Sequence, residues 1–106
     1  MSFRGGMGEL MRQAGRIQRK VEKRREELNA ETFEASAGND KVTATANGVP
    51  ELTEIRIAPE LLQQEDMEMV QDLIVAAANA ALTKAREHVD AEIEKITGGL
   101  AIPGIG

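Results

Sequence analysis

Residues 66–96 read DMEMVQDLIVAAANAALTKAREHVDAEIEKI, and the positions of their apolar side chains decide the fold. On a 100° wheel the first half places Val70, Leu73, Ile74, Ala77 and Ala81 on one side. The second half places Leu82, Ala85, Val89, Ile93 and Ile96 on another, turned by roughly 100°. A helix with two apolar faces needs two partners. At 1.5 Å per residue it is about 46 Å long, whereas a seven-residue strand covers only about 23 Å. About half of this helix is therefore expected to overhang any sheet it packs on.

The sheet is legible upstream. ETFEASA (31–37) and KVTATAN (41–47) alternate with period two on either side of GND, which predicts a hairpin. LTEIRI (52–57) follows the loop GVPE, and Pro59 stops it. The expected product is a three-stranded antiparallel meander. Its inner face holds Phe33 and Ala35, then Val42, Ala44 and Ala46, then Ile55 and Ile57, too little to close a core without a helix laid on it.

The other helix lies before the sheet. Met7, Leu10, Ala14, Ile17, Val21, Arg24 and Leu28 follow an alternating three–four spacing, a coiled-coil seam broken only at Arg24. The predicted helix runs from about Met7 to Asn29, because GGMG (5–8) disfavours an earlier start. Residues 1–6 are expected to be a flexible lead-in, and the Gly/Pro-rich TGGLAIPGIG (97–106) a flexible tail, of one domain spanning 1–106. The fold class is α+β, with an α-β-β-β-α subunit and two long projecting helices. The seam and the overhanging half each leave an apolar stripe that a chain this small cannot cover, which predicts a homodimer. Its expected interface is Leu10, Ala14, Ile17, Val21 and Leu28 with Leu82, Ala85, Val89, Ile93 and Ile96.

Charge is placed unevenly. Residues 1–28 hold eight Lys/Arg against four Glu, +4, and the remainder five against fourteen, −9, within a total of −5. Arg12, Arg16, Arg19 and Lys23 fall within roughly 60° of one another, on the side of the first helix opposite the seam. Lys20 and Arg24 flank this ridge, and Arg4 sits in the lead-in. Solvated charged faces of helices are often neutralised by acids three or four residues away. Here Arg12 has only Glu9 at that spacing and Arg16 has none, so the first turns of the ridge read as uncompensated. Uncompensated cations are what duplex-backbone binding requires, since affinity comes mainly from counterion release at phosphates. Only Phe3 and Phe33 are aromatic, which argues against base stacking on a single strand. The candidate DNA-binding residues are Arg4, Arg12, Arg16, Arg19, Lys20, Lys23 and Arg24, and weak sequence preference is expected. An adaptor whose basic helix meets an acidic protein is the alternative.

Other chemistry finds no support. There is no cysteine, and His88 is the one histidine, expected on the rim of the overhanging helix, so no metal or other cofactor is expected. RGGMGEL lacks the Gly-Lys-Ser/Thr ending of a phosphate loop. Glu65/Asp66 and Glu92/Glu94 read as helix-start and solvent-face acids, and no nucleophile stands beside a base, so no enzyme and no small-molecule substrate are expected. The longest apolar run, Leu73–Leu82, is too short for a membrane span, which leaves a soluble cytoplasmic protein as the expectation.

The start GGMGELMRQAGRIQ, the strand and turn KVTATANG, EIRIAPELL, LIVAAANAAL and the tail TGGLAIPG, in this order and spacing, resemble the YbaB/EbfC family of bacterial nucleoid-associated proteins over nearly the whole chain. The chain departs from the usual family pattern at Ala58, before the proline, and at GND. The resemblance implies a dimer whose helices project like tweezers, binding double-stranded DNA with low sequence specificity. It also implies a place in the nucleoid, with effects on nucleoid organisation and gene expression.

Overall fold

A computed structural model of the chain describes residues 3–63 and 66–98. The order is α1 (Phe3–Asn29), β1 (Thr32–Ala37), β2 (Val42–Asn47), β3 (Leu52–Ile57), a 3-10 turn at Pro59–Gln63 and α2 (Met67–Thr97). This is the expected α+β, α-β-β-β-α arrangement. The strands form one antiparallel sheet in the order β1-β2-β3.

Turn chemistry sets the sheet. Asn39 and Asp40 have φ of 55° and 66°, and Lys41 N–H donates to the Gly38 carbonyl at 3.2 Å. Gly38 before them is left-handed too, at 64°, and the consecutive left-handed pair Asn39–Asp40 at the centre of the turn matches the right-handed twist of a hairpin. At the next loop the Asn47 side-chain oxygen accepts the Val49 and Glu51 amides at 3.0 and 2.8 Å. Beside it the register shifts between Thr45 and Ala46.

Alternation along β2 puts Val42, Ala44 and Ala46 fully inside. They meet Val70, Ala77, Ala81 and Ala85 of α2, with Phe33 and Leu61 at the margins. So much alanine on both surfaces lets helix and sheet approach closely. α2 lies mainly over β1 and β2 and touches β3 far less. Asp66 caps its start, its carboxylate accepting the Met69 amide at 3.0 Å.

Past the sheet α2 changes partner. Val89 and Ile93 pack with Val21 and Leu28 of α1, flanked by Ile17 and Ile96. The two helices run antiparallel: Arg24 of α1 pairs with Glu92, while Glu31, just beyond α1, lies by His88. Two expectations are corrected here. Leu82 and Ala85 belong to the sheet side, so the change of face falls between Ala85 and Val89. Val21, Leu28, Val89 and Ile93, expected in a dimer interface, are buried within one chain, because the α1 seam and the α2 overhang cover each other.

The arm so formed stretches the molecule to 77 × 19 × 18 Å. α1 begins at Phe3 rather than Met7, its glycines helical although each costs about 1 kcal/mol relative to alanine. The expected tail lies outside the described residues from Gly99 onward.

Gly48 locks arm to sheet. A Cβ there would stand 2.1 Å from the Leu28 carbonyl oxygen, so the end of α1 rests directly on the β2–β3 loop. Gly48→Ala is expected to cost at least about 2 kcal/mol in urea unfolding, since backbone and not a side-chain tip must give way. Gly6→Ala, with open space around it, is expected to change stability by between zero and about +1 kcal/mol.

Candidate nucleic-acid interface

The cationic ridge is present on the outer side of α1, and its charges divide into three groups. The first two turns are not uncompensated. Glu9 accepts from Arg12 at 2.9 Å and also from Arg16 at 3.3 Å, seven residues away. Arg12 first, then Arg16, holds the Glu9 carboxyl below its usual range. Two guanidiniums therefore share one carboxylate, which corrects the expectation for Arg16: a long arginine reaches back two turns, beyond the three–four spacing. All three side chains are about half exposed, so these pairs are weak and give way readily to a stronger anion.

Arg19, Lys20 and Lys23 form the second group. They are exposed and have no anionic partner among the described residues. They sit where α1 is backed by α2 through Val21 and Ile93, so this cluster stands on the rigid part of the arm.

Arg24 forms the third. It was expected to flank the ridge, but it reaches across to Glu92 at 2.6 Å, with Glu27 at 3.4 Å and Glu31 at 3.7 Å. The break in the seam is thus an interhelical ion pair. Glu92, expected on the solvent face, is turned inward and also accepts from Lys95. Lys95 first, then Arg24, lowers its carboxyl to about 2, and Glu92 in turn raises the Arg24 guanidinium. The Arg4 side chain lies outside the described residues.

The opposite side of the arm is acidic. Glu87, Asp90 and Glu94 are exposed on α2 alongside Arg86 and Lys95, and none of the three acids pairs with a cation among the described residues. The outer side of α1 carries the unpaired trio, with Glu22 and Glu26 also exposed on that helix. His88 marks the junction of arm and sheet, its ring 5.3 Å from that of Phe33 and its Nε2 3.6 Å from Glu31. No cluster of metal-ligating side chains occurs among the described residues, and no helix there is long and apolar enough to cross a membrane.

Sequence reasoning missed Glu9 as a shared clamp and the Arg24–Glu92 link. The first was open to a seven-residue search along the helix; the second depends on an interhelical register that no local pattern carries.

Comparison with known proteins agrees with this architecture. The model of the YbaB/EbfC DNA-binding family matches residues 4–100. A nucleoid-associated protein of Acetivibrio thermocellus is 52% identical over 104 residues, covering 97% of this chain and 92% of its own. A nucleoid-associated protein of Myxococcus xanthus is 45% identical over 95 residues, covering 90% of each chain. A crystal structure of an uncharacterized Helicobacter pylori protein shares the fold with a TM-score of 0.60 at 20% identity, over 80% of this chain and 94% of that one.

The Arg24–Glu92 link carries a pH signature. A carboxyl lowered from about 4.3 in the unfolded chain to about 2 in the folded one adds stability that is complete above about pH 4.3 and lost as pH falls toward 2. Thermal unfolding between pH 5 and 2 should therefore show a shallower acid loss in Glu92→Gln than in the wild type. Equal slopes would contradict the assignment.

Proposed function

This chain belongs to the YbaB/EbfC DNA-binding family, and from that premise we propose that it binds double-stranded DNA through the basic face of its arm, as a homodimer in the bacterial nucleoid. The observation that carries this reading is the unpaired trio Arg19, Lys20 and Lys23 on the braced part of α1. Arg12 and Arg16 add to it when phosphates replace Glu9 as their partner. These contacts go to the backbone and read no bases, so sequence specificity is low. The acidic face of α2 keeps the arm in one orientation on the duplex. The relatives named nucleoid-associated proteins support a place in the nucleoid, and we propose that the protein acts there, in the cytoplasm, on nucleoid organisation and through it on gene expression.

The dimer surface we propose differs from the α1 seam, which is filled within the chain along Val21 and Leu28. α2 leaves β3 poorly covered, so Ile55, Ile74 and Leu82 stay half-exposed beside the core, with Leu52 and Val75 more exposed nearby. This face continues the side of α2 that packs on α1 further along. A second copy laid on it would give two projecting arms, the tweezer-like form.

A mobility-shift titration on random duplex DNA at several salt concentrations tests the reading. Two arms offer about six unpaired cations, so log affinity should fall with log salt at a slope of roughly −3 to −5. Binding that ignores salt, or no binding at low salt, would refute it and favour the adaptor reading. Arg19→Glu with Lys23→Glu should weaken binding about 100-fold or more at low salt while the mass by light scattering stays unchanged. Val75→Glu should shift that mass toward the monomer.

A further inference from the structure

The α1 seam continues past the point where its partner stops. Val21 is 2% exposed, Ile17 is half-buried beside Ile96, Ala14 is exposed, and Leu10 and Met7 are 62% and 61% exposed, with Met11 alongside at 72%. Burial falls off because α2 ends: Gly98 takes a left-handed φ of 64° and turns the chain off the helix axis. Among the described residues nothing covers Met7, Leu10 and Met11. The eight residues that follow Gly98, GLAIPGIG, carry Leu100, Ile102 and Ile105 and no charged side chain.

We propose that this C-terminal segment, Gly99–Gly106, lies along the bare stripe of α1 and covers Leu10 and Met11. Reach is ample, since eight extended residues span about 26 Å and Ile17 to Met7 along the helix is about 15 Å. Pro103 and the glycines suit an extended course along a helix face, not continuation of α2. A second copy of the α1 tip is the less favourable occupant, because its association costs translational and rotational freedom that a segment of the same chain does not lose. The tail has no charged side chain, and its tether supplies an effective concentration near the millimolar range without association. The stripe lies opposite the cationic ridge, so an arm with its tail in place keeps its phosphate-facing side free.

The absence of cysteine makes the contact directly testable in the full chain. In a Met11→Cys/Ile102→Cys variant, oxidised glutathione should form a disulfide within one chain, read by peptide mass spectrometry. It should form roughly 10-fold or more faster than in Arg16→Cys/Ile102→Cys, whose cysteine is on the ridge. Equal rates in the two variants would overturn the proposal. So would a disulfide joining residue 11 of two chains, or one formed as readily between mixed single-cysteine variants. As a second measurement, a chain ending at Gly98 should bind several-fold more apolar dye, a gain that Leu10→Ser removes; no gain would refute coverage by the tail.

Discussion

Everything in this molecule hangs on the contact that α2 makes with two different partners along one uninterrupted helix. Over its first half, Val70, Ala77, Ala81 and Ala85 close the sheet; beyond Ala85, Val89 and Ile93 take up α1. Because a helix of 31 residues is stiff and the strands have six each, the excess length has to leave the sheet. α1 stabilises that excess by covering its apolar stripe. The arm is therefore a consequence of unequal element lengths and is no separate domain. Gly48 sets how closely the two regions meet, since the Leu28 carbonyl occupies the space a side chain would need.

The same packing sorts the cations. Six cations of the first helix have one of three fates, set by their position relative to α2 and to Glu9. Arg24 faces α2 and is consumed by Glu92; Arg12 and Arg16 lie beyond α2 and fold back on Glu9; Arg19, Lys20 and Lys23 point outward from the braced segment and keep their charge unpaired. A basic helix within an acidic chain is thus divided between cations paired within the fold and cations left unpaired. The acidic residues of α2 add a field that repels a polyanion from the other side.

Membership of the YbaB/EbfC DNA-binding family is the ground on which we propose a DNA-binding role for the outward trio, while the shared fold at 20% identity shows only that the architecture tolerates wide sequence change. The open apolar face along β3 and the bare stripe at the α1 tip are two of the places where the described chain leaves hydrophobic surface in water; Val49, Leu62, Met67 and Met69 are exposed elsewhere. The face and the stripe differ in setting. The first borders the core and is broad; the second is a narrow line at the end of an isolated helix, beside a short uncharged segment.

The order of elements, the hairpin register and the inner face of the sheet could be read from the sequence, because period-two alternation in 31–57 and the turn residues act locally. The two-faced character of α2 was legible for the same reason: helix periodicity reports direction around an axis. It did not report which partner each face would find. The seam residues Val21 and Leu28 have the same pattern whether they meet another subunit or α2 of their own chain. Nor could spacing show that Arg24 pairs with Glu92, or that Arg16 reaches Glu9, since long side chains and the antiparallel register of two helices bring these groups together in space. By itself the sequence determined the elements, their apolar faces and the basic side of α1. Only the tertiary structure decided which faces are satisfied within the chain and which charges stay free, because both depend on where the helices cross and how far each outruns the other.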